Sequence, residues 1–179
     1  FITRDGTMTQ AAAHPAPSRA DLDRRITFHD ADQIMEVDFS DFEFDSSHIV
    51  NAFYDRLEDR IAETGEDLWF FLVNLNGTRI DPAAWTAYSR RGRALNYAHS
   101  MGSVRFDASE ETRAQILRAA NTEAFDPNLF DNRDEAVLRL RARSDPRKIV
   151  IAARMPKKSG TSVIRISSGS SASSSRFVR

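Results

Sequence analysis

Cysteine is absent from the 179 residues, glycine and proline are scarce at 7 and 6, and lysine does not occur before Lys148. Without cysteine there is no disulfide framework and no thiolate zinc site, a composition that fits a cytoplasmic protein. The few glycines form no phosphate-cradling loop, and no serine sits in a G-x-S-x-G elbow. No apolar run approaches the roughly 18–20 residues of a membrane-spanning helix. Residues 1–7 lack the apolar segment of a signal peptide; Met8 is a plausible translation start that would leave them outside the functional protein. His14, His29, His48 and His99 share no metal-ligand spacing. Asp38, Asp41, Glu43 and Asp45 alternate with Phe39, Phe42 and Phe44 but lack the glycine of a calcium loop. They read as an acidic strand end, whose charge blunts edge pairing. No catalytic residue, metal or cofactor is assigned on these grounds, and an enzyme is not expected.

What is present is the composition of a globular domain with tails: 41% apolar and 28% charged residues. The net charge of −1 hides an asymmetry. From Arg139 onward there are 11 Lys+Arg and 1 acidic residue, a balance of +10, so the preceding residues carry −11. Residues 8–22, rich in Ala, Pro and small polar residues, read as a mobile arm. Gly160 to Ser175 is mostly Ser, Gly and Ala and cannot bury a core. This divides the chain into an arm over 1–23, an α/β domain over 24–143 and a basic, Ser-rich tail over 144–179. The tail reads as a solubilising arm, as sequence foreign to the protein, or, less favoured, as a binder of nucleic acid or an anionic surface.

Within the domain, the stretch Leu68-Trp69-Phe70-Phe71-Leu72-Val73-Asn74-Leu75, bounded by turn residues, predicts a strand buried on both faces. Alternation predicts two short antiparallel strands over 24–29 and 32–39. Ile49, Val50, Phe53, Tyr54, Leu57 and Ile61 make one helical stripe after a cap at Asp45 or Ser46. Asp81-Pro82 opens a helix running to about His99. Residues 103–108 read as a short alternating strand. Ser109 caps a helix with Ile116, Leu117 and Ala120 inward. A short strand follows at 128–130, after a Phe125 expected to be buried, and Asn132-Arg133-Asp134-Glu135 is a capping box for the last helix. The expected fold is α/β: a mostly parallel four- to five-stranded sheet with an N-terminal antiparallel strand pair, flanked by about four helices.

This order of elements, with the segments Leu68–Leu75 and Asp81–Trp85, the Val-x-Phe strand and the closing Asp-Glu-Ala helix, resembles the STAS-like fold over about residues 24–142. That group includes anti-sigma-factor antagonists and domains related to lipid-carrier CRAL-TRIO modules. The resemblance implies a non-enzymatic regulatory domain that docks a partner protein on the helix after the central strand. Its alternative is a carrier that holds a lipid or other apolar molecule between sheet and helices. In the antagonists, a Ser or Thr in an Asp-Ser-Ser/Thr-Gly turn is phosphorylated. Here that turn reads Asn76-Gly77-Thr78-Arg79-Ile80-Asp81-Pro82: Thr78 is the only hydroxyl, and Asp81 would repel a phosphate.

Arg90, Arg91 and Arg93, with Arg79, form the candidate anion patch, because a guanidinium meets carboxylate or phosphate through a planar fork. A solvated helix face competes with that reading. The candidate binding residues are thus Thr78, Arg79, Asp81, Arg90, Arg91 and Arg93. An enzyme using Asp81 with these arginines is the third reading. A closed core would favour the interaction domain, and an apolar cavity would favour the carrier.

Overall fold

A computed structural model describes residues 17–144. Ordered chain begins earlier than the sequence suggests. Ser18 and Asp21 form a reciprocal capping box, which starts a single helical turn, α1 (Arg19–Asp23), with Leu22 buried beneath it. The arm expected over 1–23 is therefore structured at 18–23, and its first sixteen residues lie outside the described ones. So does the expected tail from residue 145 on.

Strands β1 (Ile26–His29) and β2 (Ile34–Asp38) pair antiparallel. The turn between them closes on Gln33, a non-glycine residue at φ 54°. The two-residue strand β3 (Glu43–Phe44) precedes helix α2 (Ser47–Thr64). Ser46, rather than Asp45, caps α2 by accepting from the Ile49 amide, and Gly65 ends it at φ 77°. Then come β4 (Trp69–Asn74), the short β5 (Arg79–Ile80) and α3 (Pro82–His99), which Asp81 caps by accepting from the Ala83 amide. The chain continues through β6 (Ser100–Phe106), α4 (Glu110–Glu123), β7 (Leu129–Phe130) and α5 (Arg133–Ser144).

The main sheet has the order β1-β2-β4-β6-β7, parallel from β2 onward. Each crossover adds the next strand on the same side of the last one. Crossovers of one hand that step in one direction put their helices on one face of the sheet. The cores agree. One holds Trp69, Phe71 and Val73 of β4 with side chains of α2 and α3 and Ile116 of α4. The other holds Phe70 and Leu72 with Val104, Phe106, Ala136 and Leu140, and α5 alone covers it. Period-2 alternation in the central run therefore divides one strand between two cores.

Leu68, the first residue of the run expected to be buried, is 46% exposed and precedes β4, and two features around α4 also depart from the sequence reading. Leu117, expected inward, is 42% exposed, and Phe125, expected buried, is 38% exposed. Both lie on α4 or its C-terminal loop, where Ala124 turns left-handed at φ 53°. Burial on α4 is confined to Thr112, Ile116 and Ala120, spacings of four that make a stripe too narrow to include position 117. No helix among the described residues is long and apolar enough to cross a membrane.

Candidate ligand site between the sheet and helices

The residues singled out from the sequence fall in two places, Thr78, Arg79 and Asp81 in the turn before α3 and the three arginines further along that helix. Thr78 is 1% exposed. Its hydroxyl donates to the Phe39 carbonyl at 2.8 Å, and its own carbonyl accepts from Thr112 Oγ1 at 2.9 Å. The loop around it is zipped to the segment before α2. The Asp41 amide donates to Asn76, the Arg79 amide to Phe42 and the Asp81 amide to Phe44, and β3 pairs with β5. A Cβ on Gly77 (φ 63°) would sit 2.3 Å from Asp41 Oδ1. The turn is thus a structural clasp. The sheet order is monotonic, so it has no point where strand order reverses and no crevice of that kind at the strands' carboxyl ends.

The arginines engage different elements. Arg79 pairs with Glu43 of β3 at 2.7 Å. Arg91 reaches Asp55 and Glu58 of α2, at 2.7 and 3.3 Å, and stacks over Tyr54. Arg93 pairs with Glu123 at the end of α4. Arg90 is exposed, with no ion pair among the described residues. A helix turns about 100° per residue, so positions 90, 91 and 93 point in three directions.

Space for a ligand lies elsewhere, between the sheet and α2, α3 and α4. The inward positions of α3 beyond Tyr88 are small or polar: Ser89, Gly92 and Asn96, with Leu95 among them. Gly92 sits mid-helix, where glycine costs about 1 kcal/mol relative to alanine. A Cβ there would approach the Tyr54 hydroxyl to 3.1 Å, which accounts for its place. Opposite, β6 turns Val104 and Phe106 to the α5 core, and Ser103 and Arg105 to the α3 side, where a filled core would need large apolar groups.

The result is a cavity of about 100 Å³. Met35, Val37, Phe71 and Val73 form its floor, and Tyr54, Trp85, Tyr88 and Ile116 are among its walls. It shares Asn96, Ser103, Arg105 and Phe125 with an outer cleft of about 330 Å³ between β6 and the loop after α4. The inner cavity alone is smaller than the roughly 300–1,000 Å³ of drug-sized sites; the adjoining outer cleft lies within that range. The Arg93–Glu123 pair, joined by Ser89 Oγ on Glu123 at 3.4 Å, bridges α3 and α4 at its rim.

Polar groups enter this apolar space at few points. Burial pushes the phenols of Tyr54 and Tyr88 up, with Arg105 acting in the opposite direction on each, so both are protonated at neutral pH. The Ser103 hydroxyl oxygen is buried with no hydrogen-bond partner among the described residues. The half-buried Arg105 donates Nη1 to the Pro127 carbonyl at 3.0 Å. Among the described residues no carboxylate pairs with it, and no cluster of metal-ligating side chains occurs.

The sequence reading missed this site. A strand covered on both faces has no wet side, so the alternation Ser103-Val104-Arg105-Phe106 carried the signal of an inward arginine.

The architecture is therefore an α/β layer fold in which three helices cover one sheet face incompletely and one covers the other. No family model matches the chain, and neither a curated protein nor a solved structure does.

Proposed function

We propose that this is a STAS-like, non-enzymatic domain that binds a small, largely apolar molecule between its sheet and helices α2, α3 and α4. The observation that carries the reading is the cavity: an apolar floor, a rim bridged by Arg93 and Glu123, the buried Ser103 hydroxyl without a hydrogen-bond partner among the described residues, and the half-buried Arg105 with one protein hydrogen bond. Buried polar groups without partners are costly, and a bound molecule would supply them. Arg79, Arg91 and Arg93 are each taken up by an acidic group on a different element, which supports a role without catalysis, and the cysteine-free composition fits a cytoplasmic setting.

The test is native mass spectrometry of the purified protein beside the variant Ala119→Phe, which places a ring in the cavity wall. A bound small molecule in the wild-type protein, absent from a folded variant, supports the reading. Wild-type protein that carries no such mass and gains none on incubation with small apolar compounds contradicts it.

A second reading, docking of a partner protein on the outer side of α3, is favoured by one specific observation. Tyr97 is 95% exposed, and Arg90, on the same stripe, is exposed with no ion pair among the described residues. Tyrosine and arginine are enriched at the cores of protein interfaces. In that case Arg90→Glu/Tyr97→Ala should slow association with a captured partner, by less as salt rises. Unchanged association at low salt removes this surface.

A further inference from the structure

Resting on the ligand-binding reading, we infer that the molecule held in the cavity is a small carboxylic acid, its apolar body inside and its carboxylate on Arg105. The charged side chains that line the cavity are Arg93, Arg105 and Glu123. Arg93 and Glu123 neutralise each other, which leaves Arg105 as the one uncompensated charge. A half-buried guanidinium beside apolar side chains, with one protein hydrogen bond, is a ready partner for an anion. In the protein it has one carbonyl, that of Pro127, and no carboxylate among the described residues. Asp126, which lines the outer cleft, is turned to its own loop, accepting from the Asn128 amide at 3.0 Å.

The charge count also selects the anion. A single negative charge balances Arg105, whereas a phosphate dianion would carry an unmatched charge into the same space. A guanidinium fork with one Nη1 bond spent still presents donors matched to a carboxylate. Ser103 stands two residues before Arg105 on the same strand, hence on the same face, and its buried, unpartnered hydroxyl is a second donor.

Position sets the orientation. Arg105 and Ser103 line both the enclosed cavity and the outer cleft, so they stand at the junction of the two. The carboxylate belongs at that junction and the apolar part beyond it. About 100 Å³ is somewhat less than the roughly 150 Å³ of a cavity known to accept benzene. The body is therefore a chain of a few carbons, or a single ring that reaches part-way into the cleft, and longer substituents must run out along the cleft.

The test compares acids with their neutral amides by titration calorimetry on the full chain at pH 7, using benzoate against benzamide and hexanoate against hexanamide. A charge-assisted pair on a half-buried guanidinium should favour the acid by about tenfold or more. In Arg105→Gln that preference should vanish while amide binding persists, and the persisting amide binding reports that the variant is folded. Ser103→Ala should weaken acid binding less than Arg105→Gln does. Equal binding of acid and amide by the wild-type protein overturns the carboxylate assignment and leaves the ligand-binding reading standing. Binding of neither class, at concentrations where small fragments normally bind, overturns both. If Arg105→Gln does not fold, the wild-type acid-to-amide ratio alone decides.

Discussion

Replacing Phe71 or Phe70 with alanine tests the division of β4 between two cores. The rings are 2% and 8% exposed and belong to different apolar clusters. Truncating a buried phenylalanine to alanine costs about 3–5 kcal/mol, a large share of the roughly 5–15 kcal/mol that holds a domain together. In urea, with a slope of about 2 kcal/mol/M for a small domain, a loss of 3 kcal/mol lowers the midpoint by about 1.5 M. Each alanine variant should therefore unfold at a much lower urea concentration. The milder pair Phe70→Leu and Phe71→Leu then tests independence. The two side chains face opposite layers, so although they are chain neighbours their coupling should stay at the low end of the roughly 0.5–3 kcal/mol found for coupled sites. The assay is equilibrium unfolding followed by tryptophan fluorescence, Trp69 lying in the same strand. A loss below about 1 kcal/mol for either alanine variant, or strong coupling between the leucine variants, would refute the two-core account.

Four further outcomes follow from the polar contacts. Thr78→Val, which keeps shape and removes the donor to the Phe39 carbonyl, should cost about 1–3 kcal/mol in a thermal or urea melt. Thr78→Glu should unfold the domain rather than switch it, because the side chain is buried in the clasp. The Glu36 carboxyl is held below its ordinary range, first by the bidentate Arg133 at 2.6–2.7 Å and, against the opposing effect of burial, also by His29. A depressed carboxyl contributes stability that is in place above its unfolded-state value and is lost as pH falls through the folded one. Urea midpoints measured from pH 7 downward should fall more steeply in wild type than in Glu36→Gln. Arg56 is 6% exposed and bonds Asp23 at 2.5 Å and Glu63 at 2.8 Å. Arg56→Met should release α1, seen as faster amide hydrogen exchange at Leu22 with β4 amides still protected.

Much of the layer order was readable because each major element carries a strong local signal. The run 69–73 has no polar interruption, the stripe from Ile49 to Ile61 is strictly helical, and Asp81-Pro82 marks a helix start through both cap and fixed φ. The α/β class, a mostly parallel sheet of four to five strands and an N-terminal antiparallel pair were expected; a five-stranded sheet with that pair is present. The short strands β3 and β5 left no such signal. Each is a two-residue ladder, formed because the loops after β2 and β4 run side by side, which is a tertiary event. The same pairing buried Thr78, whose hydroxyl looks exposed in a turn sequence rich in Asn and Gly. The arginines of α3 were separated by helical phase, which adjacency in sequence conceals. Arg105 was visible as an alternating position, but its burial depends on α3 and α4 covering that face, and Gly92, Ser89 and Asn96 become meaningful only once α3 lies over the sheet.

The central claim is that the space under α4 is a binding site distinct from the tight core under α5. The most direct measurement is a methyl-detected NMR titration of the full chain with benzamide, a neutral single-ring probe. The account predicts shifts at the methyl groups of Val37, Val73, Leu95 and Ile116, which line the cavity, and none at Ile34, Leu72, Val104 and Leu140, which belong to the other core. Shifts spread equally over both sets, or confined to the second, would contradict it.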